Sequence, residues 1–333
     1  MGVQRVWRAL RELGFEVSVN TLRHWLYHGK KPRFKPTPLE RSLFYHKAYE
    51  MALEAKRRHP DWGYKRIATY VSRRLPIRVP QTTVLCWLRG LSKPNATPVR
   101  PCPALGYLVG VLVGDYRRSR VSKGLRVKDR EFAEHYARMY EEATGVRPEV
   151  RPDGSGFYCT YENAAWLKEL WYSGLWKVVA LAYPTEFLRG LYDSEGCVSP
   201  EIDRKHTTLK SAEVTLTVGD EEVKELAKTL LTKLGLEPVE EYEPPGVRVV
   251  RGREYEFNEC WVLYLYGWNK LELFARLIGF REGKRKRRLE LLLRIRHLPP
   301  RERYKIWTKH YEKRNGRWVE KTTKRPPGAQ PNN

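Results

Sequence analysis

Apolar residues recur at helical spacing over residues 3–13 of this chain, and Gly14 breaks the run. Asn20 can cap a second, shorter helix over 21–27, which stops at Gly29 with Pro32 just beyond. Helix, short turn and short basic helix is the helix-turn-helix pattern. The pattern recurs: residues 64–75 form a helical stretch, and 82–88 a short helix ending at Gly90 with Pro94 following. The endings VNTLRHWLYHGKKP and QTTVLCWLRGLSKP both place a Thr shortly ahead of a Trp-Leu pair, then Gly, Lys and Pro. This repeat predicts one helix-turn-helix unit over 1–38. A second falls within 39–98, behind a bridging helix over 39–59. Four prolines within 92–103 (SKPNATPVRPCP) mark the clearest domain boundary.

Beyond that boundary the pattern changes. Residues 105–116 (LGYLVGVLVGDY) and 186–199 (EFLRGLYDSEGCVS) are apolar, glycine-bearing helix patterns, each ending on one carboxylate, Asp115 or Glu195. With the two acids in register, Leu108, Gly110 and Leu112 align with Leu188, Gly190 and Tyr192, a repeat of 80 positions (195 − 115). Gly106, Gly110 and Gly114 recur every four residues along one helix face. Each costs a helix roughly 1 kcal/mol relative to alanine, and a bare face repays that cost only by letting a second helix approach closely. The expected partner begins near Pro184, with Gly190 and Ser194 in matching positions. Such packing draws Asp115 and Glu195 together. Two carboxylates ~5 Å apart at an effective dielectric of ~20 repel by about 3 kcal/mol, and the negative ends of two helices add to it. A divalent cation, Mg²⁺ before others, relieves that repulsion through carboxylates, carbonyls and water. An ion so held can activate water and stabilise the leaving oxygen of a phosphodiester. A buried glycine-rich helix with a stray acid at its cap accounts for one copy of the pattern, not for two.

Charge sharpens this reading. The chain of 333 residues is 41% hydrophobic and 12% aromatic, enough for two or three globular domains rather than global disorder. Its net charge of +24 points to a polyanionic partner. Residues 1–100 carry 21 Lys/Arg against 6 acids, residues 101–280 carry 24 against 28, and residues 281–325 carry 18 against 5. A nearly neutral core is thus flanked by two basic segments. The five cysteines include no CxxC pair, which excludes a zinc ribbon and a disulfide framework. No signal-peptide run and no membrane-length apolar stretch is present, so a cytoplasmic, soluble protein is expected.

The two acid-ended stretches resemble the paired motifs of LAGLIDADG homing endonucleases in their single-chain, two-motif form. In LVGVLVGDY the final motif acid falls on Asp115, and in LRGLYDSEG on Glu195. The resemblance extends over about residues 104–297 and implies an α+β fold. Two αββαββα halves, 104–183 and 184–297, would be related by a pseudo-twofold axis. The chain fits that order: strand pairs over 117–127 and 147–161 with helices over 129–144 and 163–172, then strands over 197–218 and 238–266 with helices over 220–234 and 269–278. Asp129 and Asp220 are the expected N-caps. One departure stands out. Gly196 follows Glu195, whereas Tyr116 follows Asp115, where a left-handed turn would be strained.

The resemblance further implies double-stranded DNA as partner and Mg²⁺ or another divalent cation as cofactor. Asp115 and Glu195 would act as metal ligands and catalytic acids, one per strand. Lys128 and Lys205 are the candidate basic groups near the scissile phosphate. Strand residues Arg117, Arg118, Arg120, Lys123 and Arg126 would face DNA in the first half. Arg204, His206, Lys210, Arg248, Arg251 and Arg253 would do so in the second. Arg23, Lys30 and Lys31 are the corresponding contacts of the N-terminal region. Residues 282–296 (EGKRKRRLELLLRIR) predict a basic amphipathic helix, and the extension 298–333 alternates basic and aromatic residues before a Lys/Arg/Pro-rich tail. The expected function is a monomeric, Mg²⁺-dependent, site-specific double-strand endonuclease encoded in an intron. The alternatives are an RNA maturase with intron RNA as partner and a DNA-binding regulator that does not cleave.

Overall fold

The computed structural model describes residues 3–12, 18–27, 36–115, 124–163, 165–250, 253–314 and 317–321. The chain divides into two compact units, Met1–Asn95 and Ala96–Asn333.

The first unit is helical: α1 (Val3–Glu12), α2 (Val19–Tyr27), α3 (Pro38–Arg58), α4 (Tyr64–Arg74) and α5 (Gln81–Leu88). Asn20 lies inside α2 rather than before it. The amide of Leu22 donates to the Ser18 carbonyl at 3.1 Å, which makes Ser18 the cap residue. Thr37 opens α3 with a capping box: its hydroxyl accepts from the Glu40 amide at 3.2 Å, and the Glu40 carboxylate accepts from the Thr37 amide at 2.9 Å. Small residues on α3, Ala48 and Ala52, let α4 and α5 pack down through Ile67, Val71, Val84 and Trp87. Tyr45 and Tyr49 meet Trp87 edge-on at 5.5 and 5.6 Å.

The second unit runs α6 (Pro103–Val113), β1 (Arg126–Val127), α7 (Arg130–Thr144), β2 (Glu149–Pro152), β3 (Tyr158–Tyr161), α8 (Ala165–Tyr172) and α9 (Trp176–Ala182). It continues through α10 (Pro184–Glu195), β4 (Gly196–Asp203), β5 (Thr208–Val218), α11 (Glu221–Lys233), β6 (Val239–Glu243), β7 (Gly246–Val250), β8 (Arg253–Phe257), β9 (Cys260–Tyr266) and α12 (Trp268–Leu277). The last elements are α13 (Gly283–Ile295), α14 (Pro300–His310), β10 (Tyr311–Arg314) and β11 (Arg317–Glu320). Helices alternate with strands whose pairings are all antiparallel, which is the α+β class.

The described strands of the two halves share one order. The first sheet has the order β1-β3-β2 and the second β4-β5-β9-β6, so β1, β3 and β2 correspond to β5, β9 and β6. Most of the strand pair expected over 117–127 lies outside the described residues. Asp129 and Asp220 cap α7 and α11, accepting from the amides of Phe132 (2.9 Å) and Val223 (3.3 Å). The halves differ where the second inserts the separate β7–β8 hairpin between β6 and β9. Residues 300–320 also form more than a basic stretch. They fold into α14 and the β10–β11 hairpin around Trp307, which is fully buried, stacks on Tyr311 at 4.3 Å and meets Trp318 edge-on at 5.7 Å.

Candidate active site between two glycine-faced helices

Helices α6 and α10 touch backbone to backbone at their glycines. A methyl group at Gly110 would lie 2.1 Å from the Phe187 carbonyl oxygen and 2.8 Å from the Leu191 nitrogen. At Gly190 it would lie 2.2 Å from the Tyr107 oxygen and 3.0 Å from the Val111 nitrogen, so the contact is mirrored across the pair. At Gly114 it would meet the Ser194 Cβ at 2.5 Å and the Glu195 Cγ at 3.2 Å. The C-terminal ends of the two helices therefore lie side by side, and Asp115 and Glu195, both half-buried, leave from that junction. One oxygen of Glu195, Oε1, is shielded from solvent.

The turn after Glu195 corrects an expectation. Gly196 is extended (φ −81°, ψ 162°), not left-handed, and it opens β4 opposite Leu216. Glycine is needed there for space, since a Cβ would meet the Tyr192 oxygen at 2.5 Å and the Tyr192 Cδ1 at 2.6 Å. The second motif uses no left-handed conformation, so the strain argument against Tyr116 falls away. Tyr116 itself lies outside the described residues.

A buried acid inside the second motif, Asp193, holds the junction together. Asp193 is fully buried and accepts from the Tyr107 hydroxyl of α6 at 2.9 Å, the Arg281 amide at 2.7 Å and the Glu282 amide at 3.0 Å. Burial pushes its carboxyl up to about 6, while these donors pull it down. Burial, then the Asp193 charge, raises the Tyr107 hydroxyl well above its ordinary value. Arg285 of α13 donates to the carbonyl of Asp193 and, at 3.2 Å, to that of Ser194. A cation is thus placed at the negative end of α10, one residue before Glu195. The signal was present as the Asp of LRGLYDSEG and the Arg of EGKRKRRLE, but only the fold pairs them.

Of the expected basic residues, Lys128 follows β1 directly, and its ammonium lies 5.2 Å from the Phe157 ring. With the two Asp caps aligned, its counterpart in the second half is Gly219, which follows β5. Lys205 is elsewhere. It lies in the turn joining β4 to β5, at the far end of an eight-residue strand from Glu195. At 3.3 Å per residue that is roughly 25 Å, so its expected place beside the carboxylates is corrected.

Arg204, His206 and Lys210 share the tip with Lys205. The Asp203 carboxylate gathers the His206 ring at 2.9 Å and the Lys210 ammonium at 3.0 Å, and these contacts hold it well below the usual carboxylate range. Arg126 is bound to Asp153 at 2.7 Å and lies over the Phe157 ring at 3.8 Å. Arg23 is exposed on α2. Arg248 and Arg253 lie on β7 and β8, with side chains outside the described set. Arg117, Arg118, Arg120, Lys123, Arg251, Lys30 and Lys31 fall wholly outside the described residues.

The open face of the second sheet differs from the basic surface expected. Cross-strand register places Ser199, Glu213 and Tyr266 in one row and Thr215, Tyr264 and Val239 in the next, on the face opposite the core residues Val214, Leu216, Leu263 and Leu265. Tyr264 and Tyr266 stack at 5.1 Å, and the Glu213 carboxyl is raised by burial and by the charge of Glu201. Cations sit at the hairpin tip, and carboxylates and tyrosines on the sheet. Among the described residues, no group of three or more His, Cys, Asp or Glu side chains could hold a metal ion. No helix among them is long and apolar enough to cross a membrane.

A glycine-faced helix pair ending in two acids, packed with antiparallel sheets, is a LAGLIDADG-like arrangement, and residues 182–279 match the LAGLIDADG-like domain. The chain is 25% identical over 259 residues to the uncharacterized protein MJ0398 of Methanocaldococcus jannaschii, covering 71% of this chain and 90% of that one. Among solved structures it is similar to the homing endonuclease I-GzeII in complex with its DNA target (11% identity, TM-score 0.40, 63% and 96% of the two chains). It is also similar to I-DmoI in complex with DNA and Ca (13% identity, TM-score 0.37, 56% and 97%).

Proposed function

We propose that this chain is a site-specific DNA endonuclease, encoded within an intron, that hydrolyses both strands of a duplex with a divalent cation held at Asp115 and Glu195. The observation that carries this reading is the helix junction, where backbone contact at Gly110 and Gly190 leaves one half-buried carboxylate on each helix end. The donor set suits the cation. Two hard carboxylate oxygens lie among helix-end carbonyls, which is too few ligands for a closed protein site and the right number for Mg²⁺ completed by water and substrate phosphate. When bound, the ion would lower the pKa of water and offset charge on the leaving oxygen. The chain's own residues do the rest. Asp115 and Glu195 each serve one strand, and Arg285 and Asp193 fix the end of α10 so that Glu195 keeps its place.

Binding would be divided between surfaces of different chemistry. The Arg204–Lys210 tip meets phosphates. The open sheet face, with Glu213, Tyr264 and Tyr266, suits the amino groups that cytosine and adenine present in the major groove. In the N-terminal unit, α4 and α5 act as a helix-turn-helix whose exposed Gln81, Thr82 and Arg89 reach flanking DNA. Incubating the folded protein and Mg²⁺ with a supercoiled plasmid carrying the intronless host gene tests the reading. Linear product that disappears on chelating the metal is expected. An uncut plasmid together with tight binding of intron RNA would overturn it in favour of a maturase.

A further inference from the structure

Residues 300–321 lie beyond both halves and form a module on the β4–β5 hairpin. It is anchored by buried Trp307 and by Arg303, which donates to the carbonyls of Lys210 (3.0 Å) and Leu209 (3.4 Å) and lies 4.9 Å from the Trp268 ring. Between module and hairpin opens a cavity of about 700 Å³. Its walls include Arg204 from the hairpin turn, Tyr304 and Thr308 from α14, Lys313 and Trp318 from the β10–β11 hairpin, and Lys321. Lys321 is tied to the Thr308 carbonyl. Arg204 and Lys313 are exposed, and neither forms an ion pair with a described carboxylate. The one acid in the wall, Glu312, is held by Arg314. Beside the cavity, Arg301, Lys305 and Lys309 form an exposed row on α14, four residues apart and thus about 6 Å per step along the helix.

Half-exposed aromatic rings inside a rim of available cations form a site for a base with its phosphates. Duplex DNA can satisfy the cations but keeps its bases stacked away from the aromatic walls. We propose that this cavity binds an unpaired DNA nucleotide, with its base against Tyr304 and Trp318 and the neighbouring phosphates on Arg204, Lys313 and the α14 row. The site goes beyond the endonuclease reading and does not depend on cleavage.

Fluorescence anisotropy with the full chain tests it, using labelled oligothymidine about twelve nucleotides long and a mixed-sequence duplex. Tyr304→Ala and Trp318→Ala are each expected to weaken oligothymidine binding roughly 5- to 150-fold, the range for removing one stacking ring. Duplex affinity should stay within about twofold. Trp318 packs on Trp307, so Tyr304→Ala is the decisive variant, and Tyr304→Phe, which keeps the ring, should retain wild-type affinity. Equal weakening for both nucleic acids, an unchanged oligothymidine affinity in Tyr304→Ala, or no oligothymidine binding by the wild type would each overturn the proposal. A protein that passes this test yet cuts no duplex keeps the cavity and loses the endonuclease reading. The opposite pair of results does the reverse.

Discussion

Helices α6 and α10 carry the same motif and hold its terminal acid by different means. Residues 104–113 of α6 are buried on every side, and the helix closes on Gly114, whose amide donates to the Gly110 carbonyl at 3.2 Å. Helix α10 buries a similar apolar face but adds polar braces: Arg189 donates to the carbonyls of Ile278 and Leu277, Asp193 takes three donors, and Arg285 covers the last carbonyls. The position of Asp193 is Val113 in the first copy. Duplication has kept the glycine contact, which must be mirrored for two backbones to touch, and has let the supports diverge. Glu195 therefore stands on a hydrogen-bonded frame that reaches α13, built on a residue that is Val113 in the first copy.

The mirrored contact should give the largest effects, and equal ones. In Gly110→Ala and Gly190→Ala the new methyl meets backbone oxygens at 2.1 and 2.2 Å, which only separation of the helices relieves. Each variant should lose at least ~3 kcal/mol in denaturant unfolding and lose cleavage with it. Normal stability in either one would contradict the backbone contact. Next come the acids. Asp115→Asn and Glu195→Gln should fold and bind DNA while double-strand cleavage falls by at least ~10²-fold, with nicked plasmid accumulating. Full cleavage by both variants would remove the two acids from the mechanism.

Much of this was legible in the chain because its signals are local or periodic. Glycines four apart need a close neighbour, and Asp129 and Asp220 precede amphipathic runs. The rest depends on contacts that no spacing encodes. Asp193 reads as one more polar residue near a helix end until the turn into α13, some 90 residues later, presents two amides to it. Lys205 looks close to Glu195 along the chain, but a strand is the longest way to spend ten residues. The acidic open face of the second sheet follows from cross-strand register, in which Glu213 joins Ser199 and Tyr266, and the total charge conceals it.

The braces themselves should matter next. Asp193→Leu leaves the buried Tyr107 hydroxyl and Glu282 amide, and the half-buried Arg281 amide, without their acceptor, at a cost of about 2–3 kcal/mol. Tyr107→Phe should cost less alone, and the double variant should fall short of the sum, since each removes the other's partner. On nicked-product assays the Asp193 variant should slow the Glu195 strand more than the Asp115 strand. Equal slowing would mean that the frame supports the junction as a whole and does not favour one acid.

The smallest effect lies on the first half alone. His135 of α7 meets the Tyr107 ring edge-on at 4.8 Å and takes the place that Leu226 holds in α11 when the two Asp caps are aligned. Arg138 approaches its Nδ1 at 3.2 Å, and because a guanidinium can only donate, the ring is neutral and accepts there. Burial, then the charges of Arg138, Arg281, Arg189 and Lys286, lowers its pKa from 6.5 to about 3. The sign follows. The unfolded chain takes up a proton below pH 6.5 that the folded chain refuses until about 3, so the stabilising contribution is complete above 6.5 and is lost as the pH falls. Between pH 7 and pH 5 the loss should be about 2 kcal/mol. His135→Gln, neutral throughout, should lose correspondingly less in denaturant melts at the two pH values. In hydrogen exchange at pH 5, α7 should lose protection before α11, whose Leu226 does not titrate. An identical pH loss in wild type and variant would show that His135 is not the group that makes the first half the acid-sensitive one.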